Sequence, residues 1–321
     1  MISHDFVQAV YRAMLGRAPE SDRVVEDATR SESEHAYLAA VMEGAEFRQR
    51  HPALVPQSRA WVWAEADEKF ILRVNLADSA IAWPAVEGRF EVAETAFIKS
   101  SLRPGARTLD IGANVGHHTM LMASIVGPGG HVTSFEPLPQ LLESVLMSVA
   151  RNGFDPIVSV HGIALSDRTG EIEMRYATET NNWGGAQIRG EGELHAWEST
   201  ISVPTRTVDA LDLGPVDFIK IDIEGAEPKA ISGAKALLGQ SRPIVLSEVH
   251  RSALAMVSQS SPDDYVGLFD GLGYRCHTLS DAGQLGEAYR RNDDVELQNV
   301  VFIPAEFESV DARHAAMMLG R

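Results

Sequence analysis

The sequence predicts an α/β fold: an open, largely parallel sheet with helices on both faces, preceded by a small all-α module. Two observations carry this. From about residue 107 onward, short apolar strand-like runs alternate with amphipathic helical stretches, the pattern of a parallel sheet covered on both sides. Residues 3 to 52, by contrast, show helical spacing alone. Over the 321 residues, 45% hydrophobic and 23% charged side chains give the balance of a globular enzyme.

In the stretch DFVQAVYRAMLG the apolar residues Phe6, Val7, Val10, Tyr11, Met14 and Leu15 recur at helical spacing, Gly16 ends the pattern and Pro19 lies just beyond. A second helix is expected in the twenties and a third across SESEHAYLAAVMEGAEF, capped by Ser31 or Ser33. The segment HPALVPQ reads as a linker. The division predicted is a helical module over 1–52, a linker, strands and lead-in helix over 53–106, the main domain over 107–305 and a tail over 306–321. Val10-Tyr11-Arg12, Leu15-Gly16-Arg17, Pro19 and Glu46-Phe47-Arg48 resemble a bacterial helical module of unassigned function, found attached to enzymes of cell-surface and glycan metabolism. That resemblance implies docking, to a protein partner or a second copy, or else a stabilising helical cap.

AWVWAEADEKFILRVNL alternates polar and apolar residues around a turn near Asp67 and Glu68, the mark of a strand pair. A helix from Glu91 to Leu102 should stop at Pro104-Gly105. Strands are then expected at 107–112, 131–135, 157–161, 217–222, 243–248, 274–279 and 299–303. Helices are expected to about 126, over 138–151, 227–238 and 262–272.

Charge narrows the partners. Lys and Arg number 28 against 45 Asp and Glu, a formal charge of −17, with no basic stripe to follow a phosphate backbone, so nucleic acid is not an expected partner. A single cysteine, Cys276, forbids an internal disulfide and fits a reducing compartment. The opening MISHDFVQ lacks a basic flank followed by an apolar core, and no run reaches about 18 apolar residues, so no membrane span and a cytoplasmic location are expected.

The chemistry centres on TLDIGANVGHHT, residues 108 to 119, where a strand feeds a glycine-rich bend into a helix. Such bends bring backbone amides and a helix N-terminus close to a ligand. Gly112 and Gly116 permit the sharp turn and a close main-chain approach. The spacing Asp110-x-Gly112-x-Asn114-x-Gly116 differs from the dinucleotide pattern G-x-G-x-x-G, and a leading acid repels a phosphate while suiting a cofactor with ammonium or sulfonium charge, such as S-adenosylmethionine. Glu136 ends the next strand, 20 residues after Gly116, where an acid accepts hydrogen bonds from ribose hydroxyls.

These blocks, with IALSD, DFIKIDIEGAE, VLSEVH and NVVFIP, resemble class I S-adenosylmethionine-dependent methyltransferases of the FkbM type over roughly residues 90 to 304. The resemblance implies a Rossmann-like, seven-stranded sheet with its last strand antiparallel. It also implies methyl transfer to an oxygen, commonly on a sugar or secondary-metabolite hydroxyl. Ala113 and Asn114 in the bend, Ala164, Leu165 and Asp167 on the adenine side, and Glu91 at the methionine end are carried over as cofactor residues, each with an ordinary turn or cap as the plainer alternative. His117-His118 departs from the family's usual apolar or aromatic residues and reads as local variation on a helix face.

In that architecture Lys220, Asp222 and Glu224 come beside the cofactor, Asp222 serving both cofactor and chemistry. Alternate residues of an extended chain share a face, so the three project together if extension persists through Glu224. His250, oriented by Glu248, is the leading candidate to take the acceptor's proton; Asp222, Glu224 or a Lys220 of depressed pKa are alternatives, as is transfer with no essential base. A Mg²⁺ ion on Asp222, Glu224, Glu248 and His250 is possible but not favoured. Glu227 suits a helix cap. Trp183 and Trp197, within 176–200, could stack on a sugar, although a surface hairpin is the plainer reading. The expectation is thus an O-methyltransferase acting on a hydroxyl of a saccharide, glycan or glycosylated metabolite; the alternative is a non-catalytic interaction protein working through its N-terminal helices.

Overall fold

The computed structural model describes residues 2–31, 33, 37, 38, 40, 41, 44, 46, 61–66, 70–76, 78, 80–177, 187–188, 198–291 and 294–307. The chain forms two compact units, Met1–Ala60 and Trp61–Arg321. In the first, helices His4–Leu15 and Asp22–Ala28 pack Val7, Val10 and Val25 with Tyr37 into a small core. The Ser3 hydroxyl caps the first helix by accepting from the Phe6 amide, and Gly16 closes it in the left-handed conformation, φ 63°. Arg17 donates to both carboxylate oxygens of Glu46, at 2.7 and 2.5 Å, tying two ends of the quoted motif together. Phe47 and Arg48 lie outside the described residues, as does much of the third expected helix.

The second unit opens with the expected antiparallel pair, β1 (Trp61–Glu65) and β2 (Ile71–Asn75); its turn residues 67–69 fall outside the described set. The Ile71 and Arg73 amides donate to Asn152 Oδ1 and Ser148 Oγ, which fastens β2 to the helix Pro139–Asn152.

The main sheet contains β3 (Arg107–Ile111), β4 (His131–Phe135), β5 (Val158–His161), β10 (Phe218–Ile221), β11 (Ile244–His250), β12 (Tyr274–Leu279), β13 (Leu285–Ala288) and β14 (Leu297–Pro304). Its order is β13-β12-β14-β11-β10-β3-β4-β5, with β14 antiparallel to both neighbours. The seven expected strands are present and an eighth, β13, pairs antiparallel with β12 at the edge. The central strands are buried on both faces, which is why they read as nearly continuous apolar runs. Helices Val92–Ser101, His117–Val126 and Pro139–Asn152 supply one core, while Glu227–Ser232, Lys235–Ser241 and Pro262–Asp270 supply the other.

The single helix expected over 227–238 is two helices, broken where Gly233 passes so close to Ser166 that an added Cβ would lie 2.2 Å from the carbonyl oxygen. A second sheet was not anticipated: β6 (Ala164–Leu165), β7 (Gly170–Ala177), β8 (Gln187–Ile188) and β9 (Glu198–Arg206), in the order β6-β9-β7-β8. β7 and β9 pair antiparallel from Gly170↔Thr205 to Ala177↔Glu198, and β8 pairs antiparallel with β7; most of 176–200, where a hairpin is expected, lies outside the described residues. Trp183 and Trp197 lie outside the described residues.

The order reverses at β3, which lies between β10 and β4, so ligands are expected beyond its C-terminal end. There Gly112, φ +87°, lies so near β10's exit that a Cβ would sit 1.9 Å from the Asp222 carbonyl oxygen. Gly112→Ala should therefore cost about 3 kcal/mol or more, at the top of the range for single substitutions; a urea titration showing an unchanged midpoint would contradict this close approach.

Candidate active site

A cleft of about 840 Å³, partly open to solvent, lies beyond the ends of β3, β4 and β10. Its floor is the bend Gly112–Val115, one end is walled by Ile163, Ala164 and Leu165, and the other carries Glu91, Lys220, Asp222 and Glu224. Glu91, Asn114 and Glu224 all hold left-handed backbone, at φ 42°, 54° and 53°. Such conformations are unfavourable for residues other than glycine and gather where surrounding structure enforces them.

Glu136 ends β4 as expected and is 5% exposed. Its Oε2 accepts from the Asn114 amide at 2.9 Å and its Oε1 from the Leu138 amide at 2.8 Å, so it holds the bend while lining the cleft. Burial pushes its pKa up to about 7, against the pull of those two donors.

Two assignments in the bend change. Asp110 is fully buried beneath the cleft and does not line it: Oδ2 accepts from Thr119 Oγ1 at 2.5 Å, and the Thr119 hydroxyl also meets Ser134 Oγ at 3.0 Å. Burial raises its pKa, with Lys220 opposing. Gly116 does not line the cleft either; a Cβ there would press on Val145 at 3.3 Å, and its φ of +90° caps the helix His117–Val126. Gly112, Ala113 and Asn114 do line it.

The block DFIKIDIEGAE brings Lys220, Asp222 and Glu224 to one end of the cleft, but not by continued extension. β10 stops at Ile221, and Glu227 staples the following loop by accepting from the Ile223 and Gly225 amides at 2.8 and 3.3 Å. Glu227 thus holds the loop instead of capping its helix. Lys220, 7% exposed in its side chain, lies 3.3 Å from Asp222 Oδ2. Burial works against its charge, yet Asp222, Glu91 and Asp110 outweigh this and raise its pKa, so it stays protonated and is not the base.

Next to this end, a chamber of about 300 Å³ is lined by Glu91, Glu94, Lys220, Asp222, Glu248 and Asn299, among others. Asn299 Nδ2 donates to Glu94. Burial first, then Asp222 and Glu224, drive the Glu248 pKa up to about 9; burial takes Glu91 to about 8. His250 lines neither space. Its Nε2 is held by Glu296 Oε1 at 3.3 Å and Ser252 Oγ at 3.2 Å, not by Glu248, because the chain before β14 crosses there. Its Nδ1 lies 4.0 Å from Glu224 Oε2. Glu224, Glu248 and His250 present ligand atoms within 4.8 Å of one another, whereas Asp222 does not join that group.

The histidine pair was underread from sequence. His117 and His118 are 4% and 3% exposed, and both line the cleft. Eight of the ten residues of their helix are buried, and a helix apolar all round is a core helix, a signal that its opening histidines are buried too. The site meets the needs of S-adenosylmethionine: Asn114 Oδ1 and His118 Nε2, on residues that line the cleft, are buried without hydrogen-bond partners among the described residues, and buried polar atoms left so are exceptional. Asn114, His118, Glu136, Ala164 and Leu165 would hold it.

Sheet order, glycine bend and strand-end acid together define a class I methyltransferase. The methyltransferase FkbM domain matches residues 110–276, just over half the chain, and the chain belongs to that family. Among curated proteins, AMB antimetabolite synthetase AmbE of Pseudomonas aeruginosa is 29% identical over 187 residues, 46% of this chain and 8% of that protein. Protein-L-isoaspartate O-methyltransferase of Methanothrix thermoacetophila is 36% identical over 61 residues, 19% of this chain and 29% of that protein. The chain thus spans less than a third of the length of either relative. Among solved structures, the FkbM methyltransferase of Methylobacillus flagellatus is similar at TM-score 0.40 and 14% identity, over 92% of this chain and 58% of that one. Fibrillarin of Aeropyrum pernix, solved with S-adenosylmethionine natively bound, gives 0.39 and 12% over 76% and 94%. No described helix is long and apolar enough to cross a membrane.

The raised carboxyl pKa values fix a pH dependence. A group whose folded pKa exceeds its unfolded value, 4.5 here, binds more protons when folded, so stability falls as pH rises between the two values. The ligand-free chain should lose stability from about pH 4.5 upward until the folded groups ionise, at about 7 for Glu136 and about 9 for Glu248. Glu248→Gln should flatten the slope of urea midpoint against pH between 5 and 8; an unaltered slope would show that Glu248 ionises normally.

Proposed function

We propose that this methyltransferase acts on a hydroxyl oxygen of a neutral saccharide or glycosylated metabolite. The supporting observation is the carboxyl-rich lining of the acceptor end: Glu94, Asp222, Glu224 and Glu248 line the cleft and its side chamber, with Lys220 the one Lys or Arg among the residues lining either. Carboxyl groups in either protonation state exchange hydrogen bonds with sugar hydroxyls.

When bound, S-adenosylmethionine supplies a methyl carbon already activated by its sulfonium sulfur. The protein's tasks are then alignment and exclusion of water. Glu136 would accept from ribose hydroxyls, Ala164 and Leu165 would flank the adenine, and the bend residues Gly112, Ala113 and Asn114 would present backbone beneath the donor. Glu91 and Asp222 would face the methionine end. Asp110 and Gly116 support the site from below.

Glu224 is the cleft-facing member of a pair with His250, whose Nδ1 lies 4.0 Å behind it. With the donor bound, this pair would take the acceptor's proton as the acceptor oxygen bonds to the methyl carbon and the carbon–sulfur bond breaks, leaving S-adenosylhomocysteine. Lys220 Nζ, 3.3 Å from its Oδ2, holds Asp222 in place. No metal is invoked, although Glu224, Glu248 and His250 are the side chains that would hold Mg²⁺. All these groups come from the unit 61–321, which leaves the N-terminal helices for docking a protein partner or a second copy.

A labelled-methyl assay against neutral glycans should show transfer to oxygen that persists in excess chelator; activity lost to chelation and restored by Mg²⁺ would replace the base with a metal site. Glu224→Gln and His250→Ala should each lower turnover by about two orders of magnitude or more with donor affinity near wild type. Because the two act as one unit, the double variant should be no slower than the slower single; additive losses would separate them.

A further inference from the structure

We propose that His118 is a donor-binding residue that holds the carboxylate of the methionine end of S-adenosylmethionine, with Glu91 as the positioning residue that aims it. The imidazole lies at the second residue of the helix after the bend, 3% exposed, and lines the cleft. Its two nitrogens have different surroundings. Nδ1 faces Glu91 Oε2 at 3.4 Å, whereas Nε2 is buried with no hydrogen-bond partner among the described residues. A buried polar atom of that kind is rare unless a ligand completes it.

Several features hold the ring in this pose. His117 packs edge-on against it, ring centroids 5.2 Å apart and planes at 89°, and Phe90 lies 6.2 Å away on a tilt. Glu91 does not cap its own helix; it sits in left-handed backbone at φ 42° with its carboxyl toward the histidine. That geometry is unfavourable for a residue with a side chain and marks a position held for its direction.

The chemistry then selects a carboxylate. Burial pushes the Glu91 carboxyl up to about 8 and the His118 imidazole well down, so the pair carries no net charge at neutral pH. The carboxyl proton bridges to Nδ1, leaving the ring's own N–H on Nε2 as a donor. No side chain caps the helix at Gly116, whose N-terminal dipole favours an anion. Lys220 adds positive field, being one of the groups that lowers the His118 pKa. The donor's ammonium and sulfonium are left to the carboxylates.

The test uses two ligands, S-adenosylhomocysteine and 5′-methylthioadenosine, which is a similar nucleoside thioether without the amino-acid end. Calorimetry would compare the full chain with His118→Phe, which keeps the ring's bulk, and His118→Gln, which keeps a donor. His118→Phe should weaken S-adenosylhomocysteine at least about tenfold and leave methylthioadenosine within about twofold, with His118→Gln recovering most of the loss. Equal weakening of both ligands, or no change in either, would overturn the assignment and leave the cofactor site standing. Should His118→Phe fail to fold, His118→Leu replaces it: a loss of at least about tenfold for S-adenosylhomocysteine with methylthioadenosine within about twofold supports the assignment, and equal weakening of both, or no change in either, overturns it. Wild type binding neither ligand would remove the donor site itself, a separate outcome.

Discussion

One buried ammonium organises the charge of this site. Lys220 acts on Glu91, Glu94, Asp110, Glu136 and Glu248, in each case favouring the ionised carboxylate. It does not suffice: burial still leaves all five with raised pKa values. A fold that buries several carboxyls around one lysine bears a desolvation cost in the ligand-free state, and a cationic ligand lowers that cost on entry.

The backbone makes that concentration of charge possible. Parallel β3 and β10 run side by side from Phe218↔Thr108 to Ile221↔Ile111, so their exit loops emerge together. Gly112 lets the two loops touch, Glu227 staples the second and Glu136 the first. Each staple is a carboxylate accepting main-chain N–H groups, so acids that line or underlie the cleft also fix its walls. Loss of either changes geometry and field together, and effects on donor and acceptor binding are not expected to separate cleanly at these positions.

Much of the sheet was legible because parallel strands buried on both faces leave apolar runs that alternate with helices. β13 was not: Leu285–Ala288 is a partly exposed edge whose residues carry no apolar run. The four-stranded sheet escaped because β6 and β8 have two residues each, and distant pairing partners such as Gly170 and Thr205, or Ala164 and Thr205, leave no local signal. In the site, the strand-end acid Glu136 was readable from spacing; Lys220, Asp222 and Glu224 do gather at one end of the cleft, but through the loop after Ile221 and not by the alternation expected. What decided their roles came from elsewhere in the chain. Glu296 took the imidazole nitrogen that Glu248 was expected to orient, Thr119 took the Asp110 oxygen, and Phe70 and Phe90 closed over His117. Periodicity shows which residues share a face, but not which distant segment meets that face.

The central claim is that the acid-walled cleft over β3, β4 and β10 seats the donor from Ala164 to Glu91. A crystal structure of the chain with S-adenosylhomocysteine measures this directly. The account predicts ribose hydroxyls within hydrogen-bond reach of Glu136, with the amino-acid portion at the Glu91, His118 and Asp222 end. A complex with the ligand reversed, or seated outside this cleft, would contradict it.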